Sequence, residues 1–283
     1  MIDVHCHLLP GLDDGAKDLD TALILVRQLS QAGFQKVIAT PHVLEGREFL
    51  DPDTIRKATI RFNLELEREG IPLEVLPGAE NYIFPELPQY LKEGKILTLA
   101  DSHKYLLFEL PMQELPSYTE HVIFELQVQG IVPVLAHPER YSYFAEATEL
   151  LVKWKNQGVL LQVDLRSLEG CYGPGPLDLA SWLLENGLVQ VVGTDAHRAS
   201  QREDGYRKAL ERFFQRVGPE HFERYLKIYP QVILRGEELE ILDQERLMIP
   251  FHNKRNGLDI KLNWRERIRS FFTISKDKGF QNK

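Results

Sequence analysis

Seven short apolar segments recur along the chain, with amphipathic stretches at helical spacing between most of them. They are residues 2–7, 36–40, 73–77, 105–110, 131–136, 159–164 and 188–192. Strands that are apolar throughout are buried on both faces, which is typical of a parallel sheet covered by helices. The series predicts an α/β fold with a closed or nearly closed (β/α) barrel, and a doubly wound open sheet is the alternative. No Gly-x-Gly-x-x-Gly follows a strand, so the sequence does not support a dinucleotide-binding fold.

Ionisable side chains lie on or just after most of these segments. They are His5, His7 and Asp14 on and after the first segment, His42 after the second, Glu80 after the third, Glu109 on the fourth, His137 and Arg140 after the fifth, and Asp195 and His197 after the seventh. The carboxyl ends of barrel strands share one face, where active sites of such barrels lie. Chance would scatter these residues over both ends, so the set predicts a single site.

The predicted site combines five imidazoles and four carboxylates without a thiolate. This donor set suits divalent Mn²⁺, Fe²⁺ or Zn²⁺, and nine ligands suit two or three ions. Such clusters activate water and hold phosphoryl oxygens, and the guanidinium of Arg140 matches phosphate geometry. The two cysteines, Cys6 and Cys171, provide no disulfide framework, and neither is followed six positions later by the arginine of a cysteine phosphatase. We therefore expect metal-dependent phosphoester hydrolysis.

The bulk composition excludes several other classes. The net charge is -8 and the pI about 5.7, which argues against general nucleic-acid binding. No apolar run approaches the roughly 18 residues of a membrane span. The first residues lack a charged leader followed by an apolar signal core, so we expect a cytoplasmic protein.

The character of the chain changes near its end, which predicts a domain at 1–243 and a tail at 244–283. Residues 251–283 contain nine Lys or Arg against three acids. Residues 263–272 could form a basic amphipathic helix. We expect a solvated tail, and the alternative is docking to an acidic partner, a neighbouring subunit or an anionic membrane surface.

Seven short motifs, taken together and in order, resemble those of a known protein superfamily. They are Asp3-Val-His-Cys-His, Asp13-Asp-Gly, Ala39-Thr-Pro-His, Gly78-Ala-Glu, Phe108-Glu-Leu, Ala136-His-Pro-Glu-Arg-Tyr and Thr194-Asp-Ala-His. In this order, from residue 2 to about 243, they resemble the PHP (polymerase and histidinol phosphatase) superfamily. The resemblance is closer to its bacterial metal-dependent protein tyrosine phosphatases of the CpsB/CapC type.

This resemblance implies a distorted seven-stranded (β/α)7 TIM-like barrel with three metal ions, Mn²⁺ first and Fe²⁺ or Zn²⁺ as alternatives. By position, the first ion would be held by His5, His7, Glu80 and Asp195, the second by Glu80, Glu109 and His137, and the third by Asp14, His42 and His197. Asp13 is the alternative to Asp14. Arg140 and Arg202 would bind phosphate, with Arg198 as the alternative to Arg202.

The implied substrate is a phosphotyrosine protein, in particular a bacterial tyrosine kinase acting in capsule or exopolysaccharide export. Two other functions stay open from the sequence. One is a small-molecule phosphatase, for instance of histidinol phosphate, built on the same metal core. The other is a non-catalytic binding barrel. A homo-oligomer is compatible with all three functions.

Overall fold

A computed structural model describes residues 1–44, 49–202 and 204–240. Its strands are β1 (Ile2–Cys6), β2 (Lys36–Ala39), β3 (His42–Val43), β4 (Glu74–Pro77), β5 (Glu80–Tyr82), β6 (Tyr105–Glu109), β7 (Val132–Ala136), β8 (Leu160–Asp164) and β9 (Val191–Gly193). Its α-helices are α1 (Leu19–Gln31), α2 (Pro52–Arg68), α3 (Leu87–Lys92), α4 (Thr119–Val128), α5 (Thr148–Asn156), α6 (Leu165–Leu168), α7 (Pro174–Glu185), α8 (Gly205–Glu223) and α9 (Tyr229–Arg235). The predicted 244–283 tail lies outside the described residues.

The strands form two parallel sheets, in the order β1-β2-β4 and β3-β5-β6-β7-β8-β9. Helices follow most strands, so the predicted parallel α/β class is confirmed. The described chain has nine strands rather than the seven predicted, because β3 and β5 follow the predicted segments 36–40 and 73–77 as separate strands of the second sheet. Pro41, which has no N–H to donate, separates β2 from β3. Gly78 separates β4 from β5, where a Cβ would come within 2.6 Å of Ile38.

Hydrogen bonds join the first strand and the residues after it to the residues that follow the last strand. The backbone N–H of Asp195 donates to the carbonyl of His5 at 2.9 Å, and that of His7 donates to Ala196 at 3.0 Å. The buried carboxylate of Asp3 accepts from the backbone N–H of Thr194 at 3.0 Å and from its hydroxyl. The sheet therefore curls until residues nearly two hundred positions apart become neighbours.

Helix α1 forms because its sequence supplies a capping residue and a buried apolar face. Asp18 caps its first turn by accepting from the backbone N–H of Thr21 at 2.9 Å. Ala22, Leu25, Val26 and Leu29 recur at helical spacing and are fully buried against the sheet. Burying each of the larger side chains contributes about 1.5–3 kcal/mol to folding.

Inward-facing side chains of successive strands fill the space inside the curled sheet. They include Val4, Ile38, Leu107, Val134, Leu160 and Val191, and they are buried. Tyr229 and Ile233 of α9 pack against this cluster. The interior is thus apolar, and the predicted ligands lie beyond it, at the carboxyl ends of the strands. Within the described residues, no helix is both long enough and apolar enough to cross a bilayer.

Candidate metal centre

The strand ends bring the predicted ligands together. Eight of the nine lie in three clusters, in each of which the ligand atoms are within 4.8 Å of one another. The clusters are His5, His7, Glu80 and Asp195; His7, Asp14, His42 and His197; and His42, Glu80 and Glu109. The ninth side chain, His137, places its Nε2 atom 2.9 Å from Oε1 of Glu80. All nine predicted ligands therefore converge on one region.

The first cluster is the most compact. The Nε2 atoms of His5 and His7 lie 3.1 Å apart. Oε2 of Glu80 lies 3.2 and 3.3 Å from these two nitrogens, and Oδ1 of Asp195 lies 3.3 and 3.2 Å from them. Such separations are those of four ligand atoms around one ion at about 2.0–2.2 Å. His5 and His7 converge because alternate residues of a strand face the same side.

Glu80 connects the clusters. Its Oε2 atom lies 3.1 Å from Nδ1 of His42, while its Oε1 atom lies beside His137. Nδ1 of His42 is also 2.9 Å from Oε1 of Glu109. The resemblance assigns His42 to the third ion alone, whereas here it belongs both to the cluster with Asp14 and His197 and to the cluster with Glu80 and Glu109. Glu80 therefore belongs to two clusters at once.

The adjacent acids Asp13 and Asp14 have different surroundings. Oδ1 of Asp14 lies 3.3 Å from Nε2 of His197 and 3.5 Å from Nε2 of His42, and this side chain is 71% exposed. Asp13 instead turns toward Nδ1 of His7, at 2.7 Å, and accepts from the backbone N–H of Gly15. A carboxylate behind a ligating imidazole fixes its orientation. The geometry therefore favours Asp14 as ligand and Asp13 as support for His7.

Exchanging each acid for its amide tests this division. We expect Asp14→Asn to lower the bound metal by about one ion per chain, because a direct ligand is weakened. Asp13→Asn should keep the number of ions and weaken affinity by roughly 10- to 100-fold. Metal content after dialysis at fixed free Mn²⁺, together with titration, measures both effects. Loss of one ion in Asp13→Asn and none in Asp14→Asn would reverse the assignment.

Several buried polar atoms fit a bound cation. Oε2 of Glu80, Oδ1 of Asp195 and Nδ1 of His42 have no hydrogen-bond partner among the described residues. Buried polar atoms without a partner destabilise a fold, and all three belong to the clusters. A divalent cation would satisfy them. The donor set and these atoms therefore fit the ions that the sequence predicts.

The carboxylates of the first cluster are held in the charged form. Burial raises the pKa of Glu80, but His5, His137 and His7 outweigh it and hold that pKa well below its usual value. The pKa of Asp195 is likewise raised by burial and lowered further by His5 and His7. Both groups are therefore negative at neutral pH, which attracts a cation.

Two supporting residues were missed by the sequence analysis. Gln162 of β8 places its Oε1 atom 2.7 Å from Nδ1 of His5, which aims the other ring nitrogen at the cluster. Gly193 ends β9, where a Cβ would lie 2.8 Å from that of His5. The available signal was a polar residue inside the apolar run Leu-Leu-Gln-Val-Asp, which is fully buried.

Two of the predicted ligands have unusual backbones. His137 and Asp195 adopt positive φ angles of 33° and 45°. Non-glycine residues rarely adopt such angles, which cluster at functional sites because the surrounding fold must enforce them. The turn at each strand end thus directs Asp195 into the first cluster and His137 toward Glu80.

The predicted phosphate-binding arginines differ in position. Arg140 ends a short turn, Pro138–Arg140, and its Nη1 atom lies 2.5 Å from Oδ2 of Asp195. The side chain of Arg202 is 73% exposed, and its Nε atom lies 3.7 Å from Asp204. Arg198 is also exposed. Within the described chain, only Arg140 of the three forms an ion pair with a predicted ligand.

This chain is similar in sequence and in structure to bacterial proteins described as tyrosine phosphatases. YwqE of Bacillus subtilis, a tyrosine-protein phosphatase, is 38% identical over 210 residues, which is 74% of this chain and 82% of YwqE. CapC of Staphylococcus aureus is 31% identical over 229 residues, covering 80% and 89% of the two chains. A chain from the crystal structures of YwqE and Streptococcus pneumoniae CpsB, described as metal-dependent tyrosine phosphatases, superposes with a TM-score of 0.79. That structure is 35% identical, with 85% and 96% of the chains covered.

The family model for capsular polysaccharide synthesis proteins CpsB/CapC matches residues 1–235. That span contains every predicted ligand and both arginines, and it ends at the last residue of α9. The family resemblance seen in the sequence motifs is confirmed, and this chain belongs to the CpsB/CapC family.

Proposed function

We propose that this chain is a metal-dependent protein tyrosine phosphatase. The observation that carries the proposal is the convergence of nine predicted ligand side chains at the strand ends, where Glu80 belongs to two of the three clusters and Arg140 lies beside Asp195. The tyrosine phosphatase relatives support the reaction. His5, His7, Glu80 and Asp195 would hold the first ion, Glu80, Glu109 and His137 the second, and Asp14, His42 and His197 the third.

The division of labour follows from these positions. Bound divalent ions would supply Lewis acidity and lower the pKa of coordinated water. Arg140 binds the nonbridging phosphoryl oxygens, because its guanidinium offers paired N–H donors at the mouth of the clusters. Gln162 and Asp13 hold His5 and His7 in place. The phenolate of tyrosine has a pKa of about 10, so it leaves more readily than a serine alkoxide.

The same proposal extends to the strand count, the metal ions and the protein substrate. We count β2 with β3, and β4 with β5, as single interrupted strands, which gives a distorted seven-stranded barrel. We propose three ions, with Mn²⁺ first and Fe²⁺ or Zn²⁺ as alternatives, and a bacterial tyrosine kinase as the protein substrate. Arg202 as a second phosphate ligand, the cytoplasmic location and a homo-oligomer stay predictions.

The first experiment measures phosphate release from three substrates: a phosphotyrosine peptide, a phosphoserine peptide and histidinol phosphate. The protein is stripped with a chelator and then refilled with Mn²⁺. We expect the chelated protein to be inactive, and refilling to restore activity on phosphotyrosine. Preference for histidinol phosphate would indicate a metabolite phosphatase. Bound metal without activity on any of the three would favour a binding barrel.

Arg140 provides a more specific test. We expect Arg140→Ala to lower kcat/KM for a phosphotyrosine peptide by about 10²- to 10³-fold, because charge on the phosphoryl oxygens loses its paired donors. Arg140→Lys should recover only part of the loss, since an ammonium lacks the planar fork. Arg68→Gln, an exposed change on α2, is the control. Near-normal kcat/KM for Arg140→Ala would remove Arg140 from the mechanism.

A further inference from the structure

A second arginine lies close to Arg140 and shares an aromatic neighbour with it. Arg166 is in the short helix α6, directly after β8, and β8 lies between β7 and β9 in the sheet. The guanidinium carbon of Arg166 is 5.4 Å from the ring centre of Tyr172, and that of Arg140 is 4.7 Å from the same centre. Both separations are within cation–π range. One tyrosine ring therefore holds two guanidinium groups near the metal-ligand clusters.

The charge of Arg166 is not neutralised by an ion pair within the described chain. The nearby Asp164 uses Oδ1 to accept from the backbone N–H of Arg166, at 2.7 Å, rather than from its guanidinium. The side chain is partly buried, whereas the exposed Arg68 and Arg207 each pair with an acid on their own helix. A cation held on an aromatic surface, with free N–H donors, is prepared for an anionic ligand.

Arg166 lies outside the reaction centre, because a chain of three contacts connects it to the first cluster. Arg140 contacts Asp195 of the first cluster, Tyr172 contacts Arg140, and Arg166 contacts Tyr172. Because both guanidinium carbons lie near one ring centre, they are at most about 10 Å apart. An extended peptide advances about 3.3–3.6 Å per residue. A phosphotyrosine at Arg140 can therefore place a group one to three residues away at Arg166.

We propose that Arg166, supported by Tyr172, binds a second anionic group of the substrate on a residue that flanks the phosphotyrosine. The group is a carboxylate or a second phosphoryl group, since both accept paired N–H donors. This inference rests on the proposed function, because it assumes that a phosphotyrosine peptide occupies the site. It makes Arg166 a residue for substrate specificity, while Arg140 serves the reacting phosphate.

The test compares binding of three peptides that carry a non-hydrolysable phosphonate analogue of phosphotyrosine. The flanking residues are alanine in the first, glutamate in the second and a second phosphonate residue in the third. Calorimetry with the Mn²⁺-loaded full chain measures each Kd. We expect wild type to bind at least one anionic peptide about tenfold more tightly than the alanine peptide, and Arg166→Gln to abolish this preference. The glutamate and phosphonate arms identify the preferred anion.

Further variants separate recognition from structural support. Arg166→Lys should keep part of the preference, and Tyr172→Leu should weaken it by releasing the guanidinium. Arg68→Gln removes one exposed charge and should keep the wild-type ratio. The inference is overturned if wild type shows no preference, or if Arg166→Gln weakens binding of all three peptides equally. Hydrolysis of the matching phosphotyrosine peptides is measured in parallel, so that absent hydrolysis with retained preference contradicts only the proposed function.

Discussion

Glu80→Gln is expected to lower phosphatase activity by about 10³-fold or more, equivalent to about 4 kcal/mol of transition-state stabilisation. Glu80 is fully buried and contacts His5, His7, His42 and His137. The amide has almost the same shape, so the substitution removes charge and ligand strength with little change in packing. Because both oxygens face imidazoles, the substitution weakens the cluster with His5, His7 and Asp195 and the cluster with His42 and Glu109. The measurements are kcat/KM for a phosphotyrosine peptide and metal content after dialysis.

The control for Glu80→Gln is Glu65→Gln, which neutralises a glutamate of α2 paired with Arg68. We expect this control to retain wild-type activity and metal content. The pKa of Glu80 is held well below its usual value by its histidine neighbours, despite burial. Protonation therefore does not mimic the substitution near neutral pH. A Glu80→Gln protein that keeps all its metal and more than a tenth of its activity would show that Glu80 is not a shared ligand.

Gly15→Ala is expected to have the second largest effect. A Cβ at this position would overlap the carbonyl oxygen of His7 and come within 2.6 Å of the His7 Cβ. The neighbouring N–H of Ala16 donates to that carbonyl at 3.1 Å, so the turn already packs closely against His7 and has no room for an added methyl group. The turn must move away from β1, which separates Asp13 from Nδ1 of His7. We expect about 1–3 kcal/mol of destabilisation and a 10- to 100-fold loss of metal affinity.

Thermal unfolding of the chelated protein and metal titration separate the two effects of Gly15→Ala. Gly175→Ala is the matched control, because its added Cβ would meet nothing within 4 Å. We expect the control to stay within about 0.5 kcal/mol of wild type. Unchanged stability and affinity in Gly15→Ala would contradict the close packing of the turn on His7.

Much of the site was predictable, because strand periodicity and strand ends constrain where side chains lie. The two-residue spacing of His5 and His7 predicted a shared face, and their Nε2 atoms are 3.1 Å apart. The parallel order of strands predicted that Glu80 and Asp195 would reach them. That these residues bind metal stays a prediction, while their convergence is a property of the structure.

Other features depend on turns, whose conformation has no periodic signal. Asp13 and Asp14 are adjacent in sequence, and only the path of the turn decides which of them faces His7. Arg202 follows Asp195 closely in sequence, yet its side chain turns toward Asp204. Arg166 is distant from Arg140 in sequence and reaches it through the ring of Tyr172. The breaks between β2 and β3 and between β4 and β5 depend on Pro41 and on the close approach of Ile38 to Gly78.

The junction of the first and last strands has a consequence for the order of events during synthesis. His5 and His7 are translated before Asp195, their neighbour in the first cluster, which follows nearly two hundred residues later. The backbone bonds between His5 and Asp195, and between His7 and Ala196, form only when both segments exist. A nascent chain therefore cannot complete the first cluster until most of its strands have emerged. The proposed phosphatase activity would begin only after the curled sheet has been assembled.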